Sequence, residues 1–204
     1  MDEPLGILID FTECIGCGEC VQACRQENGL EGEPDAADLS AANYTVVLKH
    51  DQMYYRKMCM HCLEPTCVSV CPVAALTKSP SGPVLYDPDK CMGCRYCMMA
   101  CPFGVPRYHW DSAAPVIEKC IFCHSRVAAG GEAACAWVCP MGATRMGRRS
   151  HLLEIAHARI ANKPERYVNY VYGEKDAGGA SVLMLSSVPF EQLGFPMKLG
   201  DEPL

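Results

Sequence analysis

The stretch Cys91-Met92-Gly93-Cys94-Arg95-Tyr96-Cys97-Met98-Met99-Ala100-Cys101-Pro102 decides how the chain folds. Two residues separate the first cysteine from the second and the second from the third, three separate the third from the fourth, and a proline follows. A turn with that spacing wraps three thiolates around three corners of a 4Fe–4S cube. The fourth cysteine sits on a short helix leading away and reaches a neighbouring cube instead. The stretch therefore requires a second cluster, and other cysteines to complete both.

The chain supplies them. Its 16 cysteines form four groups of four, with none left over. The first is Cys14, Cys17, Cys20 and Cys24, spaced like the central run. The second is Cys59, Cys62, Cys67 and Cys71, the third is the central run, and the fourth is Cys120, Cys123, Cys135 and Cys139. Two other chemistries use paired cysteines. Zinc knuckles combine two such pairs and have no use for a third cysteine at the same spacing. Secreted disulfide scaffolds are as cysteine-dense, but they are usually shorter than 204 residues, and clustered spacings suit loop staples poorly. Four cubanes account for every cysteine.

A chain of 204 residues holds one or two domains and a modest apolar core. Cluster–thiolate bonds act as staples in so small a fold, and 15 prolines and 17 glycines mark a loop-rich chain. The formal net charge of −6 counts cysteines as neutral, so thiolate-bound clusters make the protein more acidic still. That balance, with no basic stripe interleaved with aromatics, argues against nucleic acid as a partner. No run of 18 apolar residues is present, so the chain is expected to have no transmembrane helix of its own. Met1 to Asp10 shows neither the regions of a signal peptide nor a twin-arginine pair. The membrane side is therefore open: cytoplasmic, or exported bound to a signal-bearing partner.

Leu5 to Phe11 reads as a short strand entering the first cysteine loop, where Gly16 and Gly18 permit a tight turn with amides toward sulfur. Val21 to Asn28 reads as the short helix carrying Cys24. Residues 29–43, with Glu31, Gly32, Glu33, Pro34, Asp35 and Asp38, read as a solvated loop or a contact surface. Tyr44 to Lys49 and Met53 to Met58 read as a hairpin, and Val84 to Asp87 as a strand leading to Cys91. Only 19 residues separate Cys71 from Cys91, the spacing between the halves of a two-cluster ferredoxin. The second and third groups therefore pair, and the first and fourth pair around them.

Exchange of the fourth cysteine then predicts every ligand. One cluster takes Cys14, Cys17, Cys20 and Cys139, and a second takes Cys24, Cys120, Cys123 and Cys135. A third takes Cys59, Cys62, Cys67 and Cys101, and the fourth takes Cys71, Cys91, Cys94 and Cys97. The resulting fold class is α+β: two nested ferredoxin-like modules of small strands and short helices, plus an extended C-terminal tail. The outer module covers residues 1–52 and 104–150, the inner one 53–103. Ser150 reads as the cap of a helix from His151 to Asn162, ended by Pro164, with Leu152, Ile155, Ala156, Arg159 and Ile160 along one face. Ser181 to Leu185 reads as a strand. Val188 to Leu204 reads as extended and unable to bury itself alone, which makes 151–204 a helix and partner-binding tail.

The four spacings, in order over residues 5–150, resemble those of the four-cluster iron–sulfur subunits of the dimethyl-sulfoxide-reductase type. These include the beta subunits of respiratory formate dehydrogenase, polysulfide reductase and quinone-linked nickel–iron hydrogenases. Cys59 to Leu76, Cys91 to Pro106, Tyr172-Gly173-Glu174 and Gly178 to Leu183 look most like the hydrogenase and formate dehydrogenase members. In nitrate-reductase relatives one cysteine of the third group is a tryptophan. Here Cys94 and its neighbours are all present, so the resemblance implies four cubanes. It also implies a catalytic partner, either a nickel–iron hydrogenase or a molybdopterin or tungstopterin enzyme, and a membrane quinone-reactive partner. The chain would then sit at the membrane periphery within a complex.

No nucleophile–base pair or open metal site stands out, so the chain by itself is not expected to be an enzyme. The leading reading is an electron-transfer subunit, with a freestanding polyferredoxin as the alternative and a maturation or sensor protein behind it. His61 and His124 abut cluster cysteines and read as surface or supporting residues. Met58, Met60, Met92, Met98 and Met99 read as a soft apolar shell. Arg25, Arg56, Lys57, Lys90, Arg95 and Lys119 read mostly as surface charge, with one or two raising a cluster's potential by favouring its more negative, reduced state. Trp110 and Trp137 read as packing residues.

Overall fold

A computed structural model describes residues 3–33, 35–110 and 117–204. Pro34 of the acidic loop, with Met1 and Asp2, lies outside the described residues. Strand β1 (Leu5–Asp10) enters the first cysteine loop, and α1 (Glu19–Asn28) leaves it carrying Cys20 and Cys24. Strands β2 (Thr45–His50) and β3 (Met53–Met58) form an antiparallel hairpin that delivers the chain to Cys59. Then come α2 (Thr66–Ser69), β4 (Leu76–Lys78), β5 (Val84–Tyr86) and α3 (Tyr96–Ala100). The short ladder of β6 (Arg107–Tyr108) and β7 (Ile117–Glu118) leads to Cys120. After it run α4 (His124–Ala128), α5 (Ala134–Trp137), β8 (Thr144–Arg148), α6 (Arg149–Asn162) and β9 (Val182–Leu185).

The largest sheet has the order β8-β1-β9, with β1 antiparallel to β8 and parallel to β9. Both faces of β1 and β9 are covered, which explains why Ile7-Leu8-Ile9 of β1 and all of β9 are apolar rather than alternating. Side chains alternate between the faces. Leu8, Leu183 and Leu185 meet Leu152, Ala156 and Ile160 of α6. Ile7, Ile9, Val182 and Met184 face the cysteine-bearing core with Met58, Met60 and Phe122. Burying Leu152 or Ile160 contributes about 2 kcal/mol each.

Three expectations are corrected here. The last helix starts at Arg149, and Ser150 lies inside its first turn without capping it. The Glu3 carboxylate accepts from the Ser150 backbone N–H at 2.8 Å instead, so the cap comes from the other end of the chain. The acidic loop is not merely solvated. Leu39 is buried in the core, and Asp38 pairs with Arg107 at 2.9 Å.

The third correction concerns the tail. Strand β9 is an integral member of the main sheet, and Phe190, Leu193 and Phe195 are buried against this chain's own core. Phe190 stacks on Tyr172 with ring centroids 4.9 Å apart, and Phe195 meets Tyr172 at 5.1 Å and Phe11 at 6.0 Å. The Tyr172 hydroxyl donates to the Pro196 carbonyl at 2.8 Å. A 3₁₀ turn over Phe190–Leu193 folds the tail back onto the protein, which an extended reading did not foresee.

Candidate iron–sulfur site

The cysteine loops repeat. In the first and third groups the residue before the second cysteine is Gly16 or Gly93, at φ 72° and φ 70°. The residue after that cysteine, Gly18 or Arg95, is also left-handed, at φ 77° and φ 64°. In the second and fourth groups His61 and Phe122 take the place before the second cysteine, at φ 49° and φ 65°. Each loop thus uses the same backward turn. Glycine adopts it freely, and a bulky residue does so at a steric cost.

The helices and strands then carry the groups together crosswise. Helix α1 packs on α5, and β1 on β8, which joins the first group to the fourth. Helix α2 packs on α3, and β4 on β5, which joins the second to the third. Cys14, Cys17 and Cys20 surround about 430 Å³ of space with Cys139. Cys120, Cys123 and Cys135 line another space of about 330 Å³ with Cys24. Cys91, Cys94 and Cys97 line a third, of about 310 Å³, with Cys71. Cys62 neighbours Cys59, Cys67 and Cys101: after burial, their sulfurs are the next influences pushing its thiol pKa up. Each set draws three members from one group and one from another.

All sixteen thiols are free. Burial, reinforced by neighbouring sulfurs, pushes Cys24 and Cys67 up to about 12 and Cys97 to about 11. Cys91 goes the other way. Burial pushes it up, but hydrogen bonds from the Tyr86 side chain and the Gly93 and Ile117 backbone outweigh that. Thiols held this high stay protonated unless strong positive charge binds them, so filling these sites releases protons. Backbone N–H groups aim at sulfur: Val105 at Cys101 (3.5 Å), and Phe122, Ala134 and Thr144 at Cys120, Cys123 and Cys139 (3.4 Å each). Among the described residues no three His, Cys, Asp or Glu side chains converge on a single-ion site. The donor set, its wide spacing and the amides aimed at sulfur fit 4Fe–4S clusters.

The charges near the cysteines are not mainly on the surface. Arg56 and Lys119 are each 2% exposed. Arg56 Nε donates to Thr45 Oγ1 at 2.8 Å, Nη1 to Thr144 Oγ1 at 3.1 Å, and Nη2 to Met58 Sδ at 3.0 Å. None of these partners is charged, and leaving a buried ion uncompensated costs several kcal/mol. Burial alone would pull the Arg56 pKa down, but the Cys135 and Cys20 sulfurs reverse this and hold it above its ordinary value. Lys119 Nζ donates to the Val84 and Cys120 carbonyls at 2.7 and 2.9 Å, tying β5 to the fourth cysteine loop. Lys90 and Arg95 are exposed.

His61 is fully buried, not a surface residue. Its Nδ1 accepts from the Val84 N–H at 2.9 Å, so the neutral ring carries its proton on Nε2, which has no partner among the described residues. Burial, then Lys119 and Lys78, hold its pKa well below the usual value. Met58 and Met60 are buried as a shell requires, whereas Met92 and Met99 are exposed. Trp110 and Trp137 are 66% and 68% exposed, so they do not pack in a core. Sequence reading missed Thr45 and Thr144, the two hydroxyls holding Arg56. They lie on separate strands, and no motif marks them.

Loops of clustered cysteines on short helices, backed by two-stranded ladders, define a ferredoxin-like iron–sulfur protein of α+β class. Residues 50–149 match the 4Fe-4S dicluster domain family, and residues 7–27 a 4Fe-4S binding domain. The chain is similar to a protein of Nitratidesulfovibrio vulgaris, 44% identical over 97% of this chain and 58% of that one. It is 38% identical to the hydrogenase-2 operon protein HybA of Escherichia coli, over 97% of this chain and 74% of HybA. It is 34% identical to the iron-sulfur subunit of nitrate-inducible formate dehydrogenase of Escherichia coli, over 86% of this chain and 66% of that one. The chain belongs to the iron–sulfur protein family that includes these relatives. It spans between 58% and 74% of their length.

Proposed function

We propose that the chain is an electron-transfer subunit without catalysis of its own. It relays single electrons through four 4Fe–4S clusters between a catalytic subunit and a membrane quinone-reactive subunit. The catalytic partner is a nickel–iron hydrogenase or a molybdopterin or tungstopterin enzyme such as formate dehydrogenase, as the family resemblance implies. The observation that carries the reading is the spatial sorting of sixteen thiols into four sets, three of them lining a common space. The ligand sets are Cys14, Cys17, Cys20 and Cys139; Cys24, Cys120, Cys123 and Cys135; Cys59, Cys62, Cys67 and Cys101; and Cys71, Cys91, Cys94 and Cys97. A bound cluster accepts and gives up one electron at a time, at a potential set by hydrogen bonds, burial and nearby charge.

The chain's own residues supply those settings. Backbone amides donate to sulfur, and Met58, Met60 and Phe122 exclude water. The nested division, with an outer module over 1–52 and 104–150 and an inner one over 53–103, is supported by the pairing of β1 with β8 and of β4 with β5. The β2–β3 hairpin straddles the boundary at 52. The buried tail no longer argues for a partner, but the cysteine loops do. Ile15, Met92, Met99 and Met141, beside the cysteines, are 54%, 65%, 87% and 49% exposed. Apolar side chains at those positions suit a lasting subunit interface better than a freestanding polyferredoxin. No helix among the described residues is long and apolar enough to cross a membrane.

Anaerobic native purification through a tag on this chain, with metal analysis of what accompanies it, tests the reading. Co-purified nickel indicates a hydrogenase, and molybdenum or tungsten a pterin enzyme. The chain alone, fully loaded with iron, would contradict the subunit reading and favour the polyferredoxin.

A further inference from the structure

Arg56 lines two of the cysteine-walled spaces, that of Cys14, Cys17, Cys20 and Cys139 and that of Cys24, Cys120, Cys123 and Cys135. It is buried and held by two threonine hydroxyls and a thioether, with no carboxylate partner among the described residues. Three neutral partners on three sides fix the guanidinium but leave its charge uncompensated. Negative charge has to come from the two spaces it faces.

The chain contains its own comparison. Arg56 stands three residues before Cys59, and Ile117 three residues before Cys120. The two follow the same pattern, each on the second strand of a short ladder that leads into a cysteine loop. Ile117 lines the space of Cys71, Cys91, Cys94 and Cys97, so an apolar side chain stands there in the place that matches Arg56, and the cation lining that space, Arg95, is exposed to solvent rather than buried.

The geometry points to Arg56 as a counter-charge shared by the first two cysteine sets, raising the potentials of the clusters they hold. The inference rests on the ligand sets proposed above. An electron added to either site brings one more negative charge, and a fixed cation in a dry setting favours that state. Because Arg56 faces both sites, its effect falls on that pair together. Cys20 and Cys139 share one space with Arg56, and Cys24 and Cys135 share the other.

The test is a redox titration of the intact protein, purified anaerobically with its partners, using dithionite as reductant and electron paramagnetic resonance as readout. Iron content is measured first. A wild-type protein with fewer than four reducible clusters on this chain sinks the ligand reading, and the inference with it. Given four, Arg56→Gln keeps size and polarity but removes the charge. The expected result is full iron, two potentials shifted downward and two unchanged. Arg56→Lys restores both toward wild type. No shift in Arg56→Gln, or an equal shift of all four, overturns the inference. If Arg56→Gln loses iron, Arg56→Lys decides: wild-type iron and potentials support a charge requirement, and iron loss there too assigns Arg56 a structural role and refutes it.

Discussion

Gly16 meets two constraints at once. Its φ of 72° disfavours any residue with a Cβ, and a Cβ there would collide with the Tyr54 ring. Gly16→Ala should therefore distort the first cysteine loop while leaving the other three alone. Iron per chain should fall by about a quarter, the share of one cluster in four. Unchanged iron would show that the loop tolerates the clash. This glycine was legible in the sequence because glycine inside a cysteine turn signals a left-handed backbone. His61 and Phe122 were not. They make the same turn with bulky side chains, against local preference, and tertiary packing overrides that preference. Phe122 is 1% exposed, and its ring lies 4.9 Å from that of His61. Arg56 was noticed as a charge near cysteines, but its burial was not legible, since Thr45 and Thr144 reach it from distant parts of the chain.

Among the elements, the strands with clear apolar runs were readable. Strands β1, β2, β3 and β5 lie within a residue of where their β-branched and aromatic patterns place them. Strand β9 was readable as a strand, but not its place beside β1, because a parallel pairing across most of the chain leaves no local signal. The segment after β9 misled for a related reason. Its aromatic residues are separated by prolines and glycines without helical or strand period, so nothing local tells an internal contact from an external one. Phe190 is 1% exposed and sits among Phe11, Tyr172 and Phe195. Phe190→Ala should destabilise the chain by about 3–5 kcal/mol, as a large buried aromatic does when truncated. Thermal unfolding of the cluster-loaded chain without partners checks this. A wild-type midpoint would mean that the tail's contacts contribute only when a partner is present.

At the scale of the whole molecule, one supersecondary plan occurs twice. A strand enters a cysteine loop and a short helix leaves it, and another helix and strand, later in the chain in the first copy and earlier in the second, complete the pair. The first copy uses β1, α1, α5 and β8, and the second uses β5, α3, α2 and β4. The second copy lies between the halves of the first in sequence, and α6 with β9 closes the sheet over one side. The cysteine spacing carried this plan because the sulfurs must meet around shared centres, a constraint stronger than any secondary-structure preference. The same constraint gives the account its most direct test. Iron, acid-labile sulfide and zinc should be quantified per chain in the anaerobically isolated protein, with partner contributions subtracted. The account predicts about sixteen iron and about sixteen sulfide with no zinc, four cubes on sixteen thiolates. About eight iron, or zinc in place of iron, would contradict it.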